Sequence, residues 1–340
     1  MIAKGVRGWT YDGGRRWSDA VGATRETGVL RDRRGMNETG TVVEVRRLTK
    51  RYGKHLAVDG VDLSVRRGEV YGFLGPNGAG KTTTLRILTG LITPSSGTVS
   101  VLGGQPGDSA VLARTGSLIE SPALYPYLSG RDNLQVLARY ASVPKARVEE
   151  VLELVDLADR AGDRFSTYSL GMKQRLGVAA ALLKDPDLVI LDEPTNGLDP
   201  AGMRDMRELV RNLGTDGRTV VLSSHLLGEV QQICDRVGII SEGRMVAERT
   251  VGELRGQHEL VIAADPVDDA RRRLAELVGA EAVRTEDHIL RVQVEPESVA
   301  KINRMLVEAG IAVTELRTAE RALEDVFFEL TSRRETTDVR

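Results

Sequence analysis

The sequence predicts an α/β fold, in which helices cover a mainly parallel sheet, followed by a small α+β domain. Three observations lead to this prediction. From Thr41 onward, strand-like stretches alternate with helix-like stretches. A glycine-rich loop at residues 75–82 joins a strand to a helix, and four apolar residues at 188–191 are followed by two carboxylates. Apolar runs of this length are typical of strands buried on both faces of a parallel sheet.

The first elements of the α/β domain, which we place at residues 41–257, follow from the hydrophobic periodicity. Strands are expected at Thr41–Arg47, Gly68–Gly75 and Gly97–Leu102, and a helix at Lys81–Thr89. The second of these strands reads GEVYGFLG and runs directly into the glycine-rich loop.

A helix-rich stretch then interrupts the alternation, so we expect a separate helical lobe at about residues 122–170. Its apolar residues recur at helical spacing, at Leu134, Leu137, Val151, Leu152 and Val155. After the lobe the alternation resumes, with helices expected from Leu170, Pro200 and His225 and strands at Leu188–Leu191 and Thr219–Leu222.

The pattern changes again at residue 258, where we expect an accessory α+β domain reaching residue 335, with a tail at 336–340. Strands are predicted at Leu260–Ala263, His288–Val294 and Ile311–Leu316, and helices at Val267–Val278, Ser298–Glu308 and Ala319–Leu330. This segment carries no catalytic constellation, and His288 is more typical of a surface residue than of a ligand. Two roles stay open for it: dimerisation or regulation, and packing alone.

Residues 1–40 are predicted to form a basic, disordered extension, because residues 1–35 hold eight basic and four acidic side chains and no hydrophobic period. Two interpretations compete. Met36 resembles a natural start a few residues before the first strand, which favours an inert tail or an artefact of the start site. The alternative is a basic arm that touches lipid or a partner.

Composition excludes several classes of protein. The 47 basic and 49 acidic residues give a net charge of −2, so no global positive field attracts nucleic acid. No apolar run is long enough to span a membrane, and another chain would have to supply any span. No secretory signal is expected in residues 1–30. The single Cys234 excludes an internal disulfide and a multi-cysteine metal site.

The glycine-rich loop satisfies the pattern G-x-x-x-x-G-K-[ST] between a strand and a helix, which is the context that a phosphate-binding loop requires. Its backbone N–H groups and the helix N-terminus form an anion cradle. Lys81 brings a positive charge to the β- and γ-phosphates, and Thr82 offers a hydroxyl to Mg²⁺. The predicted ATP-binding residues of the loop are Gly75, Pro76, Asn77, Gly78, Ala79, Gly80, Lys81, Thr82 and Thr83. The alternative, a glycine-rich turn with a solvated lysine, does not account for the strand and helix.

Asp192 and Glu193 follow the buried strand, at the end where α/β sheets bind ligands. We expect Asp192 to hold Mg²⁺, directly or through water, and Glu193 to polarise the attacking water. An acidic pair at such a place is most often a helix cap. Its position about 110 residues after a phosphate loop favours catalysis instead.

A second anion site is predicted where a serine and a glycine open a helix, because free N–H groups and the positive end of the dipole meet there. Its residues are Ser169, Leu170, Gly171, Met172, Lys173 and Gln174. One chain has no need of two such sites, whereas a head-to-tail dimer does. An ordinary capped helix is the alternative.

Taken in order, these motifs resemble those of the ATP-binding subunits of ABC transporters, over residues 42–257. The resemblance adds a D-loop at Gly197–Pro200, a switch histidine at His225 and Tyr52 at the adenine-stacking position. It implies a P-loop NTPase core with a parallel sheet, an antiparallel β edge and a helical lobe.

The resemblance also implies roles for individual residues. Glu193, His225 and Lys81 are the catalytic residues, and His225 contacts the γ-phosphate. Ser169 and Gly171 bind the γ-phosphate of the partner's nucleotide, and Asp199 organises the partner's active site. Simpler alternatives are that Asp199 and the pair Ser223-Ser224 cap helices, and that Tyr52 is a packed surface aromatic.

The chain departs from the family pattern at two places. The signature reads SLGMKQ where many members have SGGQ, although the spacing of serine and glycine survives. Glu120 stands at the position of the family's glutamine. The same replacement is a feature of the bacitracin- and lantibiotic-immunity type of exporter ATPase, and the stretch IESPALYPYLSGRDNL resembles that group. Glu120 is predicted to bind ATP and the metal, as a stronger oxygen ligand than glutamine but without its donor. A merely solvated loop carboxylate is the alternative.

The C-terminal stretch AERALEDVFFELTS resembles the same region of drug-export ATPases.

We therefore expect an Mg²⁺- and ATP-dependent ATPase of an ABC exporter for an antibiotic, peptide or drug. It would act at the cytoplasmic face of the membrane as a homodimer, or as a heterodimer with a similar chain, beside a separate multi-span permease and without nucleic acid. The rival function is a non-transport ABC ATPase acting on ribosomes or DNA. Ribosomal members carry two cassettes per chain, whereas this sequence has one. DNA-repair members insert long coiled coils or cysteine-rich zinc modules between the motifs, and this sequence has neither insertion.

Overall fold

The computed structural model describes residues 40–255, 259–286, 288–294 and 298–319. The predicted extension at 1–40 lies outside these residues except for Gly40, as does the predicted final helix beyond Ala319. The expected boundary between the two domains, at 257, falls in the gap at 256–258.

The elements alternate along the chain as follows. The strands are β1 Thr41–Tyr52, β2 His55–Arg66, β3 Val70–Leu74, β4 Ser96–Val101, β5 Thr115–Leu118, β6 Leu188–Asp192, β7 Thr219–Ser224, β8 Arg236–Ser241, β9 Arg244–Thr250, β10 Glu259–Asp265, β11 Val283–Glu286, β12 Ile289–Gln293 and β13 Ala312–Ala319. The helices are α1 Lys81–Leu88, α2 Ser109–Leu112, α3 Gly130–Tyr140, α4 Ala146–Leu154, α5 Leu170–Leu182, α6 Pro200–Thr215, α7 Leu227–Ile233, α8 Val251–Arg255, α9 Val267–Val278 and α10 Val299–Glu308.

The central sheet has six strands in the order β5-β6-β7-β3-β8-β9. Neighbouring strands are parallel from β5 to β8, and β9 pairs antiparallel with β8. The predicted fold class is therefore confirmed. Because parallel strands end at the same edge, the loops that follow β3, β6 and β7 meet there.

A second, antiparallel sheet with the order β2-β1-β4 lies against one side of this core. Its apolar residues share one hydrophobic cluster with helix α1 and with central strands, including Val45, Val61, Leu85, Phe73 and Ile190. Helix α1 is thus fixed between two sheets, which positions the loop that precedes it.

The helical lobe and the central sheet share a second cluster. Its members include Leu134 on α3, Leu152 on α4, Leu176 on α5, Met206 on α6 and Leu191 on β6. All five side chains are fully buried. The lobe is therefore packed onto the sheet through α5, whose buried residues face both.

The C-terminal strands form an antiparallel sheet in the order β11-β12-β10-β13, with a core of its own. With α9 and α10, the chain order is β-α-β-β-α-β, which is the ferredoxin-like arrangement. Leu274 and Leu306 from the two helices pack into that core beside Leu260 and Leu290 from the sheet.

Several elements differ from the sequence expectations. Strands β2, β5, β8, β9 and β11 were not predicted, and β1 extends to Tyr52. Strand β2 contains Asp59-Gly60, which is a turn signal, but Gly60 takes a left-handed conformation (φ 62°) that keeps the strand in the sheet through an irregular register. The helix expected from His225 begins at Leu227, because Leu226 is extended.

Over the described ranges, no helix combines the length and the apolarity needed to cross a membrane.

Candidate active site

The loop after β3 has a backbone that only glycine permits at two positions. A Cβ atom on Gly75 would lie 2.3 Å from the carbonyl oxygen of Ile240, and one on Gly80 would lie 2.4 Å from that of Ala57. Gly80 also has a φ of 102°. The two glycines therefore let the chain turn tightly between the strand and α1.

The loop is fixed by hydrogen bonds to its neighbours. The Gly75 N–H donates to the Ser224 carbonyl (3.3 Å), and the Gly243 N–H donates to the Ala79 carbonyl (3.1 Å). The first intrahelical bond of α1 runs from the Thr84 N–H to the Gly80 carbonyl (2.9 Å). The N–H groups of the preceding turn, from Gly80 to Thr83, have no partner within the helix. This rigid turn of donors fits a triphosphate.

Lys81 is buried and its ammonium is held at three points. The Nζ atom donates to the carbonyl oxygens of Gly75 (2.7 Å) and Pro76 (3.2 Å) and lies 3.0 Å from Oε1 of Glu193. The lysine therefore links the glycine-rich loop to the end of β6.

Asp192 and Glu193 are ordered by one hydroxyl. Ser223 Oγ donates to Asp192 Oδ1 (2.6 Å) and accepts from the Glu193 N–H (2.9 Å). Glu193 adopts a left-handed φ of 47°, which is sparsely populated for residues other than glycine. Such strained conformations are found at functional sites.

The other oxygen of Glu193, Oε2, lies 2.5 Å from Nδ1 of His225. Glu193 thus bridges Lys81 and His225, and the structure brings the three predicted catalytic residues into one line of contacts. We call this line the Lys81–Glu193–His225 chain. It joins the loops after β3, β6 and β7.

The alternative role of Ser223 and Ser224 as helix caps is wrong. Ser223 bonds to the loop after β6, and Ser224 Oγ accepts from the Leu226 N–H (2.9 Å) before the helix begins. The N-cap of α7 is Leu226, which makes no side-chain cap bond.

Glu120 contacts Arg86 and, across the residues described, makes no contact with another predicted ATP-binding residue. Arg86 Nη2 lies 2.5 Å from Glu120 Oε1, and both side chains are partly exposed. Arg86 is in the last turn of α1, and Glu120 has a left-handed φ of 62°. Arg86 could not be singled out from the sequence. A basic residue near the C-terminus of a helix is common, because its charge interacts favourably with the helix dipole.

Tyr52 lies at the end of β1 with its ring half exposed. The Lys50 ammonium is 5.1 Å from the centre of the ring. The ring is therefore partly accessible to solvent, with Lys50 over one of its faces.

The signature residues open α5. Ser169 is its N-cap and accepts from the Met172 N–H (3.2 Å); Gln174 is buried, and its Oε1 has no hydrogen-bond partner among the described atoms. Leu170, Gly171 and Lys173 are exposed or partly exposed.

The D-loop borders this helix start. Asp199 is exposed and caps α6, accepting from the Gly202 N–H (3.1 Å). A Cβ atom on Gly197 would lie 3.1 Å from Leu170 Cδ2, so the signature and the D-loop form one continuous surface. Over the described part of the chain, no side-chain hydrogen bond or ion pair is found between this surface and the Lys81–Glu193–His225 chain.

A divalent cation fits the site only together with phosphates. In the described ranges, no group of three or more His, Cys, Asp or Glu side chains could hold a metal. Mg²⁺ is commonly held by one or two carboxylates and by substrate phosphates. Asp192, with the hydroxyl of Thr82 on the neighbouring helix, fits that requirement.

Cys234 lies under β3, with its Sγ 2.9 Å from a Cβ atom built on Gly72. Burial, followed by the charges of Asp235 and Glu229, raises the pKa of its thiol. The thiol is therefore protonated and unreactive at neutral pH.

A glycine-rich loop opening a helix, its lysine and a carboxylate pair at the end of a parallel strand of the same sheet define a P-loop nucleoside triphosphatase. A family model described as ABC transporter matches residues 58–196. The bacitracin transport ATP-binding protein BcrA of Bacillus licheniformis is 39% identical over 298 residues, covering 85% of this chain and 97% of that protein. The chain therefore belongs to the ATP-binding subunits of ABC transporters, and the resemblance drawn from its motifs is confirmed.

Two further proteins show the same likeness. The daunorubicin resistance ATP-binding protein DrrA3 of Streptomyces coeruleorubidus is 38% identical over 307 residues, covering 86% of this chain and 96% of that protein. A solved ATP-binding subunit of an ABC transporter is 31% identical and has a TM-score of 0.57, covering 63% of this chain and 92% of that one.

Proposed function

We propose that this chain hydrolyses Mg-ATP to drive export by a separate multi-span permease. The relatives are named for bacitracin transport and for daunorubicin resistance, and the alignments cover almost their whole lengths. The proposed cargo class is therefore an antibiotic, a peptide or a drug.

The observation that carries the proposal is the Lys81–Glu193–His225 chain. Lys81 exchanges its contact with Glu193 for the β- and γ-phosphates when ATP binds, because a phosphate group is the more highly charged partner. Glu193, released from the lysine, orients a water molecule and takes its proton as the water attacks the γ-phosphorus. His225 stays within reach of Glu193 and contacts the γ-phosphate. The bond from the γ-phosphorus to the bridging oxygen breaks, and ADP leaves.

Mg²⁺ would neutralise charge on the phosphates. Asp192 and Thr82 would hold it, and Glu120 would join them if its carboxylate left Arg86. Tyr52 would stack on the adenine through its exposed face.

The surface formed by the signature and the D-loop supports a head-to-tail dimer. Ser169 and Gly171 lie at an exposed helix start and Asp199 beside them, so all three can reach a nucleotide held by another subunit. The partner is a second copy or a similar ATPase chain. The assembly would lie at the cytoplasmic face of the membrane. The helical lobe beside Glu120 would contact the permease.

The rival function, on ribosomes or DNA, has less support, because the relatives are named for transport and resistance and the net charge is −2. The test is affinity purification of the tagged full-length protein from gently solubilised membranes. We expect a hydrophobic multi-span protein in near-equal amount. Retention of ribosomes or DNA, with no membrane protein, would overturn the exporter proposal.

ATP hydrolysis by the purified protein is the matching enzymatic test. Phosphate release should depend on Mg²⁺ and should be lost in Lys81→Ala and Glu193→Gln. Unchanged hydrolysis in both variants would contradict the assigned site.

A further inference from the structure

Glu229 is a buried carboxylate that the mechanism above does not use. It lies on α7 and is 6% exposed. Its Oε2 atom accepts from Thr195 Oγ1 (2.6 Å) and from Ser224 Oγ (3.2 Å). Its Oε1 atom is buried and, within the described residues, has no hydrogen-bond partner.

The two hydroxyls that Glu229 binds belong to the two loops that carry the chemistry. Thr195 lies between Glu193 and Asp199 in the loop after β6. Ser224 immediately precedes His225. One carboxylate oxygen therefore joins the loop of the attacking water's base to the loop of the switch histidine.

Both loops contain further hydrogen bonds next to these contacts. The Asn196 N–H donates to the Glu193 carbonyl (3.0 Å), and the Leu198 N–H donates to the Thr195 carbonyl (3.2 Å). On the other side, Ser224 Oγ accepts from the Leu226 N–H (2.9 Å). Hydrogen bonds therefore run without a break from the histidine loop through Glu229 to Thr195 and to Leu198 next to Asp199.

Packing alone does not explain a carboxylate at this position. Leu227, Val230 and Ile233 on the same helix already anchor α7 in the core. A buried carboxylate with an unpaired oxygen costs free energy that an apolar side chain would avoid. The residue therefore gives up stability for the two hydrogen bonds that it makes.

We propose that Glu229 is a positioning residue for hydrolysis, which holds the His225 loop and the loop from Glu193 to Asp199 as one unit. When His225 engages the γ-phosphate of its own nucleotide, Glu229 carries that movement to Asp199 at the surface that faces the partner subunit. The proposal rests on the proposed function, since it needs ATP hydrolysis at a dimer interface.

The test compares variants of the full-length protein by kcat, KM for ATP and thermal unfolding. Thr195→Val removes one hydroxyl at constant shape, and Glu229→Ala removes the carboxylate. We expect kcat to fall about ten- to a hundred-fold in both, with little change in KM. Thr195→Ser and Glu229→Gln, which keep a donor and an acceptor, should retain most of the activity.

The chain offers a matched control for Thr195→Val. Thr115 is also a buried threonine, 6% exposed against 5% for Thr195, and its hydroxyl donates to the Val111 carbonyl (2.9 Å) away from the site. Thr115→Val should lower the midpoint of thermal unfolding without lowering kcat. If Thr195→Val behaves in the same way, Glu229 has a structural role only and the proposal is wrong.

Double variants identify the loop through which Glu229 acts. Because Thr195 and Glu229 form one contact, Thr195→Val should add little to Glu229→Ala in kcat. Glu229→Ala should likewise add little to His225→Ala, whereas full additivity in both pairs would contradict the proposal. A different result would overturn the proposed function rather than the role of Glu229: ATP hydrolysis that is unchanged in Lys81→Ala and in Glu193→Gln.

Discussion

Two glutamates occupy equivalent places in the loops that follow neighbouring strands, and they meet different environments. Strands β5 and β6 are parallel with Leu118 opposite Leu191, and Glu120 and Glu193 each follow two residues later. Both have a left-handed backbone, with φ values of 62° and 47°. Both also pair with a cation of helix α1.

The difference between the two pairs is their burial. Lys81, at the start of α1, is 5% exposed and Glu193 18%, whereas Arg86 and Glu120, at its other end, are 36% and 60% exposed. Water and salt screen an exposed pair but screen a buried pair much less. The same kind of contact is therefore shielded from solvent in one loop and screened by it in the other.

The largest expected effect is the loss of kcat when the buried carboxylate of Glu193 is removed. Glu193→Gln removes the base and should lower kcat roughly 10²–10⁴-fold while ATP still binds. Phosphate release and binding of a fluorescent ATP analogue measure the two quantities. Glu120→Gln makes the same chemical change at the equivalent position, and an equal loss of kcat there would contradict the distinction.

The two cations of α1 provide the next test. Lys81→Ala should weaken ATP binding by about tenfold or more, which corresponds to about 1.4 kcal/mol, because a buried charge beside the phosphates is lost. Arg86→Ala should change the affinity much less, since the guanidinium is screened. Equal losses of ATP affinity in the two variants would show that burial does not determine how much each cation contributes to ATP binding.

The Mg²⁺ concentration needed for hydrolysis allows Asp192 to be compared with Glu120. Asp192→Asn should raise the Mg²⁺ concentration for half-maximal hydrolysis strongly, because a neutral amide is a weaker ligand for a hard cation. Glu120→Gln should raise it only slightly and keep basal hydrolysis, while transport per ATP hydrolysed changes in membranes that contain the permease. Loss of ATP binding in Glu120→Gln would contradict this expectation.

The smallest effect concerns the exposed pair itself. A double-mutant cycle with Arg86→Gln and Glu120→Gln should give a coupling of about 0.2–1 kcal/mol in unfolding free energy. The coupling should shrink when the ionic strength is raised from low salt to about 1 M, where the screening length is about 3 Å. A coupling that does not respond to salt would show that the pair is shielded from solvent.

The parts of the site that are contiguous in sequence could be predicted, and those that depend on packing could not. The loop from Gly75 to Thr82 and the pair Asp192 and Glu193 are short motifs between a strand and a helix, so their local structure follows from spacing. The bonds of Ser223 and Arg86 depend on which strands and helices are neighbours, 31 and 34 residues away. The roles assigned to the site residues remain predictions until nucleotide binding is measured.

The fold shows the same limit. Strand β6 was predicted because four apolar residues are a local signal, but β2 was missed because Asp59-Gly60 favours a turn and only pairing with β1 keeps it extended. The ferredoxin-like order of the C-terminal sheet likewise depends on pairing between strands far apart in sequence.

The burial of Cys234 has a practical consequence for attaching a fluorophore to the protein. It is the chain's one cysteine, and its protonated thiol lies against β3, away from bulk solvent. Maleimide dyes should therefore leave the native protein unlabelled. A cysteine introduced at Tyr140, whose side chain is 83% exposed on the helical lobe, would then carry a single fluorophore without prior removal of Cys234.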